Sequence, residues 1–178
     1  IGGVQDSEAS KNLRRAFATI LAVYRDIAIS SYYGDGADVI EYSLTSVSWA
    51  SPQPTDPGYS EAFSTDVNGD PIYTSDMTDE ERYDAALQAA IGFFQAAGYT
   101  WDDATGTFTA APEGAQMAYE VIIPANGGED HPAYLLCEYV RSALETIGIT
   151  LTINNPSDSN QMWTTIDART HNMYTAAF

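Results

Sequence analysis

Residues 119–153 read YEVIIPANGGEDHPAYLLCEYVRSALETIGITLTI. This stretch predicts a strand at Tyr119–Pro124, a helix at Pro132–Ile147 and a second strand at Ile149–Ile153, because β-branched residues favour strands. Gly148 stands where a glycine commonly ends a helix. Two parallel strands need a crossover of a dozen or more residues, and the helix provides one. The stretch therefore predicts a parallel sheet.

The residues after this unit continue the same alternation. A short helix carrying Trp163 and Ile166 follows a polar turn, and Met173–Phe178 begins another apolar, strand-like run. Because the sequence stops inside that run, we expect residues 1–178 to form a single α/β lobe of a larger protein. Both ends are then expected to be boundaries of a domain or of an expressed piece.

The first hundred residues predict two helices. Ser7 or Ser10 can cap a helix whose apolar residues recur at three- and four-residue spacing and which ends near Ser30. The residues TDEE at 78–81 form a capping box, which opens a second helix that ends at Gly98.

Turn signals surround the second helix. The glycine- and proline-rich stretch 32–57 predicts a long irregular connection with a helical turn near 37–42, and connections of that length are often functional. Asn68-Gly69 and residues 104–106 each predict a hairpin, since their residue types tolerate positive φ. The chain is therefore predicted to be one mixed α/β unit.

Composition excludes several classes of partner. The chain carries 25 acidic against 7 basic residues and a net charge of −18, which repels phosphate backbones and anionic headgroups. We therefore expect no nucleic-acid partner. The sole cysteine, Cys137, stands at an apolar helix position, which predicts a core thiol and no disulfide.

Motifs for catalysis or cofactor binding are not found. His131 and His171 have no neighbouring ligands at metal-binding spacing, and the sequence has neither Gly-x-Ser-x-Gly nor a phosphate-binding loop. Residues 66–70 resemble a calcium loop, but the glycine is misplaced and the bidentate glutamate is missing, so a hairpin turn is the better interpretation. We expect no enzyme activity, no metal and no cofactor.

Aromatic residues offer the remaining functional signal. Twelve tyrosines and three tryptophans suit ligand recognition by stacking and apolar contact. Trp101 at a hairpin base is predicted to be structural. Trp163 is predicted near the carboxyl ends of the strands, where ligands bind in open α/β sheets. Trp49, in the irregular connection, suits a structural role and a ligand-binding role equally.

Five motifs in order resemble the family 5 extracellular solute-binding proteins, the peptide- and oligopeptide-binding subunits of ABC importers. They are SKNLRRAF with a later YRD (10–17 and 24–26), QAAGY (95–99), the strand 119–124, the element 144–149, and NMY (172–174). Two features depart from the family's pattern. Relative to the usual spacing, the first helix has two extra residues between Arg14 and Arg25. The acid of the family's Phe-Asp-Met run is replaced in this sequence by Met173-Tyr174.

The resemblance implies an α/β fold with a mixed sheet and helical crossovers, forming one lobe of a bilobal periplasmic-binding-protein-like (type II) fold. It also implies capture of an oligopeptide or related small solute between two lobes, without catalysis, and delivery to a membrane permease. The implied partners are the solute, the ABC permease subunits and the remaining lobe. The implied location is extracellular, on a lipid anchor at the cell surface, or periplasmic.

The resemblance also suggests site residues. His131 and Trp163 look like ligand-facing positions of the family's peptide binders, and Arg169 is a further candidate. His131 could instead be a surface residue, and Trp163 could close the edge of the lobe. With Trp49 these residues make up the predicted ligand site.

An alternative function is a carbohydrate-binding or cell-surface adhesion module. It would use Trp49, Trp101 and Trp163 as a stacking platform, which predicts coplanar exposed tryptophans and affinity for sugars. A hydrolase would require acids distant in sequence to converge on a cleft, and their spacing does not indicate this.

Overall fold

The computed structural model describes residues 1–36, 56–169 and 171–175. Within these ranges the chain forms four α-helices, a 3-10 turn at Gly34–Gly36 and five short strands. The helices are α1 (Glu8–Tyr33), α2 (Asp79–Ala96), α3 (Pro132–Thr146) and α4 (Ser159–Ala168). The strands are β1 (Thr100–Asp102), β2 (Thr107–Ala110), β3 (Ala118–Ile122), β4 (Thr150–Asn154) and β5 (Met173–Tyr174). The helical turn predicted near 37–42 lies outside the described residues.

A three-stranded parallel sheet has the order β4-β3-β5. Ala118 pairs with Thr150 on one side of β3, and Val121 pairs with Met173 on the other. Helix α3 connects β3 to β4, and α4 connects β4 to β5. The predicted parallel sheet with helical crossovers is therefore confirmed, and the carboxyl ends of all three strands meet at one edge.

The antiparallel pairing lies in a separate sheet. Strands β1 and β2 form a hairpin around the predicted turn at 104–106, with Trp101 opposite Phe108. The predicted turn at Asn68-Gly69 closes a single bridge between Thr65 and Pro71.

Side-chain caps set the starts of α1 and α2. The Ser7 hydroxyl accepts from the amide of Ser10 at 3.2 Å, which decides between the two predicted caps. Thr78 and Glu81 form the predicted capping box. Helix α1 continues to Tyr33, beyond the predicted end near Ser30, because no helix-breaking residue occurs before the glycine at 34.

The three long helices and the parallel sheet share one core. Phe94 is fully buried and makes edge contacts with the rings of Phe17 and Tyr99. The hydroxyls of Tyr99 and Tyr119 hydrogen-bond to each other inside this core. Cys137 is 1% exposed, and burial raises the pKa of its thiol to about 12, so the predicted core thiol is confirmed.

The hairpin docks on the carboxyl end of α3 through a close backbone contact. The Phe108 amide donates to the Ile147 carbonyl at 2.8 Å. Gly148 follows with a φ of +82°, and a Cβ there would lie 2.9 Å from the Phe108 carbonyl oxygen. Only glycine accommodates both this conformation and this approach.

We predict that Gly148→Ala lowers the free energy of unfolding by about 3 kcal/mol, from left-handed strain plus the forced displacement of β2. Gly106→Ala is the matched control, because Gly106 also has a positive φ, +67°, but no atom lies within 4 Å of its added Cβ. The control should lose only about 1 kcal/mol. Chemical denaturation measures both variants, and equal losses would contradict the docking contact.

Candidate ligand-binding site

A concave cavity of about 260 Å³ lies where the carboxyl ends of β3 and β5 approach the second half of α1. Its walls come from α1, the segment after β3, the first turns of α3 and the residue after β5. In open α/β sheets ligands bind outside the carboxyl ends of the strands. The position of the cavity is therefore that of a ligand site.

The lining combines an apolar surface with a few polar side chains. Apolar atoms come from residues such as Ile29, Leu136 and the prolines, whereas the polar side chains include Arg25, His131 and Thr175. This composition is typical of small-molecule sites, where apolar contact contributes affinity and a few polar groups set orientation.

His131 is held by its role as the N-cap of α3. Its Nδ1 accepts a hydrogen bond from the Ala133 amide at 3.1 Å, and Pro132 at the first helical position needs no acceptor. Because Nδ1 accepts, the proton of the neutral ring lies on Nε2. His131 thus carries a hydrogen-bond donor at the cavity wall, with the Tyr32 ring 6.3 Å away.

Thr175 contributes a second polar group. Its amide donates to the Ile122 carbonyl at 3.1 Å, which extends the pairing of β5 with β3. Its hydroxyl oxygen is buried and has no hydrogen-bond partner within the described parts of the chain. A buried hydroxyl without a hydrogen-bond partner is unfavourable by about 1–3 kcal/mol. The Thr175 hydroxyl is therefore suited to form a hydrogen bond with a ligand.

Asn155 joins two loops at this edge of the sheet. Its Oδ1 accepts from the Gly127 amide and its Nδ2 donates to the Gly128 carbonyl, both at 3.0 Å. Asn155 follows β4, whereas the two glycines follow β3. The pair of bonds therefore holds the segment that leads to His131.

The structure places the predicted site residues apart. His131 lines the cavity. Trp163 is 50% exposed on α4 and does not line it. Arg169 is exposed at the end of α4, with a φ of +55°. Trp49 lies outside the described residues, and the ligand-binding roles of all four residues stay predictions.

Sequence reasoning missed several residues that build the site. Arg25 and Ile29 are four residues apart and so share a face of α1, which helical spacing could have indicated. Tyr33 and Thr175 also line the cavity. A polar residue directly after a strand, such as Asn155, is a signal for the carboxyl edge.

Other features bear on the alternative functions. The Trp101 ring packs edge-on against Phe108 with centroids 4.9 Å apart, which confirms its structural role. It lies on the hairpin, whereas Trp163 lies on α4.

Across residues 1–36, 56–169 and 171–175 no group of three or more His, Cys, Asp or Glu side chains could hold a metal ion. In the same ranges no helix combines the length and apolar character needed to cross a membrane.

Comparisons with known proteins agree with this architecture. Residues 6–178 match the profile of the bacterial extracellular solute-binding proteins, family 5 Middle. No curated protein sequence matches the chain.

Among solved structures, the fold is similar to the crystal structure of NikA from Brucella suis in complex with Fe(III)-EDTA. The TM-score is 0.50 at 18% identity, and the match covers 96% of this chain and 28% of that one. At this identity the likeness shows the fold alone, and it confirms the predicted α/β lobe of a bilobal type II binding-protein fold.

We predict that Asn155→Ala lowers the free energy of unfolding by about 2 kcal/mol, because it removes both bonds that join the loops after β3 and β4. Asn160→Ala on the exposed surface of α4 is the control and should change stability by less than about 0.5 kcal/mol. Urea denaturation compares the two. A loss at Asn155 no larger than that of the control would mean that these bonds do not hold the loop.

Proposed function

The chain belongs to the family 5 bacterial extracellular solute-binding proteins, and from that premise we propose that it is one lobe of a binding protein for an ABC importer. The protein captures an oligopeptide or a related small solute between two lobes and delivers it to the membrane permease. Its role is transport without catalysis, in an extracellular, lipid-anchored or periplasmic setting. The observation that carries the proposal is the cavity at the carboxyl edge of the sheet.

The chemistry of the cavity supports an acceptor-rich ligand. The Arg25 guanidinium and the His131 Nε2–H are donors, and the Thr175 hydroxyl can donate or accept. Peptides present carbonyl and carboxylate oxygens together with apolar side chains, which match this mixture. The structure of NikA holds Fe(III)-EDTA, whose carboxylates are also acceptors, so a carboxylate-bearing chelate is the related solute we consider.

This lobe alone provides only one wall of the proposed site, so we expect it to bind the solute weakly. Tyr32 and Tyr33, at the end of α1 beside the cavity, are 49% and 52% exposed. Established small-molecule sites bury about 70–90% of the ligand surface. We propose that the remaining lobe closes over these tyrosines, and that Trp163, Arg169 and Trp49 contribute on the rim of the closed site.

The test uses the longer natural protein that contains these residues. Bound species are captured from a defined library of short peptides and identified by mass spectrometry. We predict that peptides are retained and that His131→Asn weakens their binding roughly tenfold, the effect of one lost hydrogen bond. Asparagine is itself a good N-cap, so the free energy of unfolding should change by less than about 0.5 kcal/mol.

His171→Asn is the matched control, since that ring lies near the Thr165 carbonyl and does not line the cavity. It should leave peptide affinity unchanged. Equal peptide affinity in the two variants would show that His131 does not contribute to peptide binding. Retention of glycans in place of peptides would favour the adhesion module.

A further inference from the structure

A second cavity, of about 380 Å³, lies between α1, the turn at residues 63–69 and α2. It shares no lining residue with the carboxyl-edge cavity. Thr19 lines the second cavity and Ile29 the first, and ten helical residues correspond to about 15 Å along α1. Its volume falls within the range of about 300–1,000 Å³ found for small-molecule sites.

A buried hydroxyl forms part of this cavity. Thr19 is 1% exposed, and its Oγ1 has no hydrogen-bond partner among the residues that the structure describes. A threonine inside a helix commonly donates to the carbonyl four residues earlier, but Thr19 does not. Its hydroxyl is therefore available as both donor and acceptor for a group inside the cavity.

A strained aromatic residue, Phe63, also lines this cavity. Phe63 has a φ of +57°, which is a rare conformation for a bulky residue. Its side chain is 48% exposed, so core burial does not account for this conformation. Backbone strain of this kind is concentrated at ligand sites, where it positions a side chain. Here it holds a ring at the cavity.

The turn that follows Phe63 is polar and is held by local hydrogen bonds. The Asp66 Oδ1 accepts from the amides of Asn68 at 2.8 Å and Asp70 at 3.0 Å. The Asp66 carbonyl accepts from the Gly69 amide at 3.1 Å. Because these bonds are local, the carboxylate and amide groups of the turn are held in place before any ligand arrives.

We propose that this cavity binds a neutral, polyhydroxylated molecule of monosaccharide size. Such a ligand pairs its hydroxyls with donors and acceptors together, as offered by Arg15, Thr19, Asp66 and Asn68, and places its apolar face on Phe63. An anion would be repelled by the Asp66 carboxylate even if it paired with Arg15, whereas a neutral ligand can hydrogen-bond to both side chains. This cavity shares no lining residue with the carboxyl-edge cavity, and neither Trp101 nor Trp163 lines it.

The test is an NMR titration of the ¹⁵N-labelled 178-residue chain with D-glucose, D-galactose and N-acetyl-D-glucosamine in turn, at millimolar concentrations. Sodium benzoate is the anionic comparison. At least one sugar is expected to shift the amides of residues 63–69 and of Thr19 in a saturable way. Benzoate is expected to leave them unchanged.

Two variants separate binding from folding. Phe63→Gly relieves the positive φ, which offsets the greater freedom of the unfolded chain, so its unfolding midpoint should stay close to that of the parent. Thr19→Val removes an unpaired buried hydroxyl and should keep or raise the midpoint. Both variants are expected to reduce sugar affinity at least tenfold. Thr164→Val is the control, because the Thr164 hydroxyl donates to the Asn160 carbonyl on α4, away from this cavity. This variant should bind the sugar with unchanged affinity. The proposal is overturned if no sugar gives a saturable shift, if only benzoate does, or if neither variant changes the affinity.

Discussion

The parallel pairing of β3 with β4 and β5 is the constraint on which the rest of the lobe depends. Parallel strands cannot be joined by tight turns, so α3 and α4 must return the chain to the start of the sheet. Every segment that leaves the sheet consequently begins at the same edge. His131, Asn155 and Thr175, which are distant in sequence, meet there for that reason.

The local signals of the sequence were sufficient for most elements. Gly148 marks the end of α3 and the capping box at Thr78 marks the start of α2, and neither signal depends on distant residues. Both helices lie within one or two residues of their predicted bounds. The predicted end of α1 near Ser30 is three residues too early, since the helix continues to Tyr33 and Gly34 is its C-cap. Arg25 and Thr175 could not be predicted as neighbours, since their meeting depends on how α1 packs on the sheet.

Helix α1 connects the two cavities. At 26 residues it is about 39 Å long, and its first half borders the cavity at the turn 63–69, whereas its second half borders the carboxyl edge. Ala16, Phe17 and Ile20 in the first half of the helix are buried and anchor it in the core. The two sites therefore share a rigid support but no side chain, which allows each to be tested alone.

The central claim is that the cavity at the carboxyl edge is the solute-binding wall of this lobe. A residue-resolved NMR titration of the 178-residue chain with tri- and tetrapeptides at millimolar concentration tests it most directly. Weak but saturable shifts are expected at the amides of Tyr33, Ala133 and Thr175. Shifts confined to the β1–β2 hairpin, or the absence of any shift at the cavity residues, would contradict it.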